Sequence, residues 1–184
     1  MIGNEYSLAQ KLHNLGLEAH GRKQFDEAER SYLRSLEIRE RIGDEYGRAK
    51  TLHQLGKMAE ELEDFDEAKD WHRWSLDISE KIGYEHGQAS ALSRLAQIAQ
   101  RLGRLDEAEN WYRRSLEIQW NIHDEHDRAR TLHELGRIAE ACKRFDEAEK
   151  LYREAEKVLQ HLNDRQNLDM VRRSLKQLRT EKKT

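Results

Sequence analysis

Apolar residues return along this chain at three- and four-residue intervals, and the whole pattern returns every forty residues. Around Ala49, Leu52, Leu55, Gly56 and Ala59 the apolar and small positions trace one stripe of an α-helix. A second stripe, Ala68, Trp71, Ser75, Leu76, Ile78 and Ile82, starts after the polar turn Glu63-Asp64 and predicts a second helix. A turn that short makes the two helices antiparallel neighbours. Asp44 and Asp124 stand where an N-cap belongs, with Asn4 in the same column. Asp66 and Glu67 place negative charge at the positive end of the second helix.

The pair then recurs. FDEAE at Phe25 returns as FDEAK at Phe65, LDEAE at Leu105 and FDEAE at Phe145. HNLG at His13 returns as HQLG at His53, SRLA at Ser93 and HELG at His133. The units run 4–43, 44–83, 84–123 and 124–163, so residues 1–184 read as one array closed by a different segment, 164–181. Small residues form two columns: Gly16, Gly56, Ala96 and Gly136, and Ala28, Ala68, Ala108 and Ala148. A larger side chain in either column would force the paired helices apart. No unit can bury its stripe alone, so the four must stack.

Composition agrees with this. There is no proline to break a helix, 38% of residues are charged, and only 36% are hydrophobic, as suits a thin fold in which every helix keeps one wet face. The net charge of −3 gives the molecule as a whole no nucleic-acid signature, although the tail from Arg172 to Lys183 is basic. The single Cys142 excludes an intramolecular disulfide and fits a reducing compartment. With no apolar leader in residues 1–10 and no long apolar run, the sequence points to a cytoplasmic protein that does not enter membranes.

The Leu-Gly pair, the alanine twelve residues after the glycine and the helix–turn–helix unit resemble the tetratricopeptide repeat. The chain departs from the common form in its forty-residue period, its lack of a closing proline, and alanine (Ala19, Ala59, Ala99, Ala139) in place of the usual tyrosine. The long period is similar to that of Leu-Gly-Asn-type adaptors, kinesin light chain, bacterial peptide-sensing regulators and signalling ATPases. The resemblance implies an all-α, right-handed α–α superhelix: four helix–turn–helix repeats and a C-terminal capping helix, with first helices lining a concave face. It implies a monomeric, non-catalytic scaffold that binds a protein or peptide segment in that groove, either as an adaptor or as the sensor module of a larger signalling system. The likeness of the units also fits an engineered or reconstructed repeat sequence.

The two ends differ from the middle. Inner units turn Thr51, Met58 and Leu62, Ala91, Ile98 and Leu102, or Thr131, Ile138 and Cys142 toward the preceding unit, whereas the first unit has Lys11, Glu18 and Arg22 there. A polar outer face predicts that the array starts at this unit. Leu168, Val171, Leu175 and Leu178 make an inward stripe on the last helix, interrupted by Arg172, Arg173, Lys176 and Arg179.

By the same resemblance, the groove is lined by His13, Leu17 and His20; by Lys50, His53 and Lys57; by Arg94, Gln97 and Arg101; and by Arg130, His133 and Arg137. Lys50, Lys57, Arg94, Arg101, Arg130 and Arg137 outnumber Glu60, Glu61 and Glu140, a balance that favours an acidic partner. Leu17, flanked by two histidines, is a candidate anchor for an apolar side chain. The carboxylate clamp of chaperone-binding relatives is not reproduced, because the column of its asparagine holds Leu17, Lys57, Gln97 and Arg137. Trp71 and Trp111 read as buried, while Trp74 and Trp120 fall on the outer face.

No catalytic or cofactor motif accompanies this scaffold. His13, His53 and His133 fall one to a unit, about a helix-packing distance apart, too far to share a metal. His123 and His126 lack further ligands, no phosphate-binding glycine loop exists, and Cys142 reads as a core thiol. The expectation is no enzyme, no cofactor and no metal.

Overall fold

The computed structural model describes residues 2–182, and of Ile2 only the backbone. Among them the chain forms α1 (Ile2–Gly21), α2 (Phe25–Ile42), α3 (Glu45–Glu61), α4 (Phe65–Lys81), α5 (Glu85–Arg101), α6 (Leu105–Asn121), α7 (Glu125–Ala141), α8 (Phe145–His161) and α9 (Arg165–Glu181), with no strand. The helices fall into two compact units, Met1–Ile98 and Ala99–Thr184, with the boundary inside α5. In the first unit α1 packs on α2, α2 on α3, and α3 on α4. In the second, α6 packs on α7, α7 on α8, and α8 on α9.

Helix starts follow side-chain chemistry. The carboxylates of Asp44, Asp64, Asp124 and Asp164 accept the backbone N–H groups of Gly47, Glu67, Asp127 and Asn167, one orphan donor each. Asn4 shares the column of Asp44 but caps nothing, because α1 already begins at Ile2. The turns end on residues in the left-handed region, glycine at Gly43, Gly83 and Gly103 but a full side chain at Lys23, Glu63, His123, Lys143 and Asn163.

The glycine column is explained by rings. Tyr32, His72 and Tyr152 are buried on the second helices, and a Cβ on Gly16, Gly56 or Gly136 would approach the matching ring to 2.5 Å. In these three pairs the first helix therefore lies directly on an aromatic ring of the second. Several sequence expectations are corrected here. In α4 the buried stripe runs through Ala68, His72, Ser75, Leu76 and Ser79, whereas Trp71 is half-buried and Ile82 exposed. The wide indole of Trp71 lies at the edge of the stripe, its ring 4.9 Å from that of Trp74. Trp111 is also half-buried, under the Arg114 guanidinium at 5.1 Å.

Thr51, Met58, Thr131 and Ile138 are buried as expected, but Leu62, Leu102 and Cys142 are exposed. Leu62 and Cys142 are the C-caps of α3 and α7, where the chain already turns away from the packed face. Residues 165–181 form a helix that buries Val171, Leu175 and Leu178 in one cluster with Tyr152, Val158 and Leu159.

Candidate peptide-binding face

The first helices of each pair, α1, α3, α5 and α7, carry all twelve candidate binding residues, and the structure sorts these into two kinds. His13, His20 and His133 are removed from any binding face because they are buried. For His13 and His133 the reason is the ring column of the second helices: an imidazole one turn before the small residue lies against that ring. His13 lies 5.8 Å from the Tyr32 ring with Nδ1 3.0 Å from Thr51 Oγ1. His133 lies 5.3 Å from the Tyr152 ring with Nε2 3.0 Å from Ser174 Oγ. His20 packs on Phe25 and places Nε2 3.1 Å from a Glu61 carboxylate oxygen.

His53 is half-buried, 3.4 Å from Ser90 Oγ and 5.2 Å from the His72 ring. Burial, and then the charges of His72, Arg94 and Lys57, push its pKa down to about 3. Burial likewise lowers His13 to about 4, helped by Arg39 and Lys50. These rings are neutral in the folded chain near pH 7.

The remaining candidates stay accessible. Leu17 is 40% exposed, without the flanking histidines that the sequence suggested. Several cations are already paired: Arg94 with Glu60 at 3.5 Å, Arg130 with Asp127 at 2.8 Å, and Arg137 with Glu134 at 3.0 Å. Arg94 also donates to Gln97 Oε1 at 3.4 Å, and Arg101 is exposed at the end of α5. Lys50 and Lys57 differ. Lys50 is exposed with Nζ 5.3 Å from the centre of the Tyr46 ring, Lys57 is half-buried, and among the described residues neither forms an ion pair with a carboxylate.

A further column escaped the sequence reading. Glu60 Oε1 lies 2.7 Å from His72 Nε2, Gln100 Oε1 accepts from the Tyr112 hydroxyl at 3.3 Å, and Glu140 Oε2 accepts from the Tyr152 hydroxyl at 2.6 Å. These groups are spent on internal bonds, which takes Glu60 and Glu140 out of the acid count of the binding face. The twelve-residue spacing between the two columns was the available signal. Among the described residues no group of three His, Cys, Asp or Glu is disposed to hold a metal ion, and no helix is long and apolar enough to cross a membrane.

Paired helices of this length, with small residues under rings and an exposed polar face on the first helix, define a helical-repeat protein of the interaction type. The tetratricopeptide repeat model matches residues 7–81 and 87–161, and the chain belongs to that family. No curated protein matches it. Among solved structures, the apo form of RapI superposes with a TM-score of 0.87 at 15% identity, covering 95% of this chain and 64% of that one. A Rap protein complexed with Competence and Sporulation Factor gives 0.72 at 17% identity, covering 97% and 49%. A putative kinesin light chain of Podosopora anserina with nearly identical repeats gives 0.67 at 17% identity, covering 97% of each chain. This chain thus spans less than two thirds of the Rap chains, and likeness at such identity concerns the fold alone.

Proposed function

We propose that this chain is a non-catalytic protein-interaction module that takes an acidic peptide segment on the exposed face of α3. The observation that carries the reading is the pair Lys50 and Lys57 on α3: two cations about two turns apart on one helical face, with no internal carboxylate partner among the described residues. Cations left unpaired by the fold favour carboxylates on a partner, chiefly through steering and choice of partner. A Rap protein of similar fold complexed with Competence and Sporulation Factor supports the reading that such a fold takes a bound partner. Family membership supports the scaffold role over an enzymatic one.

A randomised peptide display selection on the full chain tests the reading. Selected sequences should be enriched in Asp and Glu, and K50E/K57E should weaken their binding about tenfold or more, more at low salt than at high. Because both lysines lie outside the packed core, the thermal melt of K50E/K57E should match wild type. Selected peptides that are neutral or basic, or that bind the double variant unchanged, would refute the acidic-peptide reading.

A further inference from the structure

The exposed stripe of α3 carries more than its two lysines. Successive residues of a helix turn by about 100°, so Lys50 and Lys57 lie within about 40° of Tyr46 around the axis. Tyr46 is 49% exposed although its ring is held from two sides. The Lys50 ammonium lies over it at 5.3 Å, and the Tyr84 ring meets it edge to face at 4.8 Å. Tyr84 is fixed in turn, since it lies so close to Gly87 that a Cβ there would come within 2.3 Å of its ring. A partner's apolar side chain gains by covering such a ring, because an anchored ring loses little freedom on binding. The stripe therefore offers one apolar seat and two cations in a fixed order. His53, which lies between the cations, is neutral and adds no third charge.

The other repeats show that this set is particular to α3. At the same three positions α1 has Tyr6, Gln10 and Leu17, and α5 has His86, Ser90 and Gln97, with no cation in either. In α7 the positions hold His126, Arg130 and Arg137, but Asp127 and Glu134 of the same helix pair with the two arginines at 2.8 and 3.0 Å. Where α7 has those carboxylates α3 has Gly47 and Gln54, which leaves Lys50 and Lys57 to a partner.

Spacing then sets the register of what binds. At a rise of about 1.5 Å per residue, Tyr46 lies about 6 Å from Lys50 and about 16 Å from Lys57 along the helix axis. An extended chain advances about 3.3 Å per residue and covers these distances in two and five residues. A helical partner would need about four and eleven, ordering roughly twice as many residues for the same three contacts. We propose that α3 selects an extended segment in which an apolar residue stands two positions from one acidic residue and five from another, read in either chain direction, with Tyr46 determining specificity for the apolar residue. The proposal rests on the acidic-peptide reading above but is tested separately from it.

The test uses labelled peptides in a Gly-Ser background, titrated with the full chain and followed by fluorescence anisotropy. One carries Leu and two Glu at the stated spacing, made in both chain directions. The others carry both Glu adjacent to Leu, Ser in place of Leu, or the same three residues at the helical spacing. The matched peptide, in one direction, should bind about tenfold more tightly than the others. Y46A should weaken it to the level of the Ser peptide and leave the Ser peptide unchanged, whereas Y46F, which keeps the ring, should bind as wild type. Each variant is checked by its thermal melt. Equal affinity of all the peptides, each weakened by K50E/K57E, would overturn the register and leave the acidic-peptide reading standing. Tightest binding at the helical spacing would overturn the extended form, and a Y46A that binds the matched peptide as wild type would overturn the role of the ring. Peptides that bind K50E/K57E as they bind wild type would refute the acidic-peptide reading and the register with it.

Discussion

Gly136 lies so close to Tyr152 that a Cβ on it would come within 2.5 Å of a ring carbon. The ring cannot swing away freely, because its hydroxyl donates to Glu140 at 2.6 Å and its body is fully buried. Two effects compete in G136A. Alanine in place of glycine inside a helix contributes roughly 1 kcal/mol through lower chain entropy and better propensity. Forcing an extra carbon into a filled core costs about 1–3 kcal/mol, and the displaced hydroxyl would also lose its carboxylate. The packing term wins, and G136A should melt several degrees below wild type, readable as a shift in the thermal circular-dichroism midpoint. A midpoint at or above wild type would mean that the ring has room the structure does not show.

The buried imidazoles make the fold sensitive to mild acid. His13 has its pKa lowered to about 4 and His53 to about 3, in both cases first by burial, from an ordinary value of 6.5. The folded chain keeps these rings neutral while the unfolded chain protonates them below pH 6.5. Their contribution is thus complete above pH 6.5 and is lost as the pH falls from there toward 4 and 3. Each can remove up to about 1.4 kcal/mol per pH unit within that window. The carboxylates whose pKa is lowered, such as Glu134, held down against burial by the neighbouring His133 ring and by Arg137, act below their own ordinary values, at more acid pH. Urea midpoints at pH 7 and pH 5.5 should therefore differ, and H53S, with the serine of the third repeat, should narrow the gap. Equal midpoints would show that the rings take up protons in the folded state.

Most of the scaffold was legible because its cause is periodic. The forty-residue recurrence fixed the helix pairs, the small columns and the caps Asp44 and Asp124, all of which depend on a residue type at one place in the unit. What the sequence hid depends on pairs of columns. His13, His20 and His133 look like surface residues in a polar heptapeptide, and only the facing Tyr32, Phe25 and Tyr152 make them interior. Arg94, Arg130 and Arg137 look like free cations until Glu60, Asp127 and Glu134 are seen within reach. Trp71 and Cys142 misled because an apolar residue on the right stripe was read as buried without regard to its width or to the end of its helix.

The caps supply the last prediction, since the four repeats perform the experiment on one another. The residue before the second helix is Gln24, Asp64, Arg104 and Arg144 in successive units. Asp64 accepts the Glu67 N–H at 3.1 Å, whereas Gln24, Arg104 and Arg144 make no side-chain cap bond. Arg144 is otherwise engaged, reaching Glu109 through both guanidinium nitrogens at 3.1 and 2.5 Å, so replacing it would trade one interaction for another. Gln24 is exposed and carries no such commitment. Its backbone, at φ −88° and ψ 68°, is close to that of Asp64 at −82° and 79°, so an aspartate there can take over the Glu27 N–H, which now makes a 3.2 Å bond to the Gln24 carbonyl. Asp26 and Glu27 follow it as Asp66 and Glu67 follow Asp64, so the charge environment is one in which the cap is known to form. Q24D should stabilise the chain by about 0.5–1 kcal/mol, seen as a higher urea midpoint at unchanged slope. The gain should disappear near pH 3, where the carboxylate is protonated, and a gain that persisted there would assign it to something other than the cap.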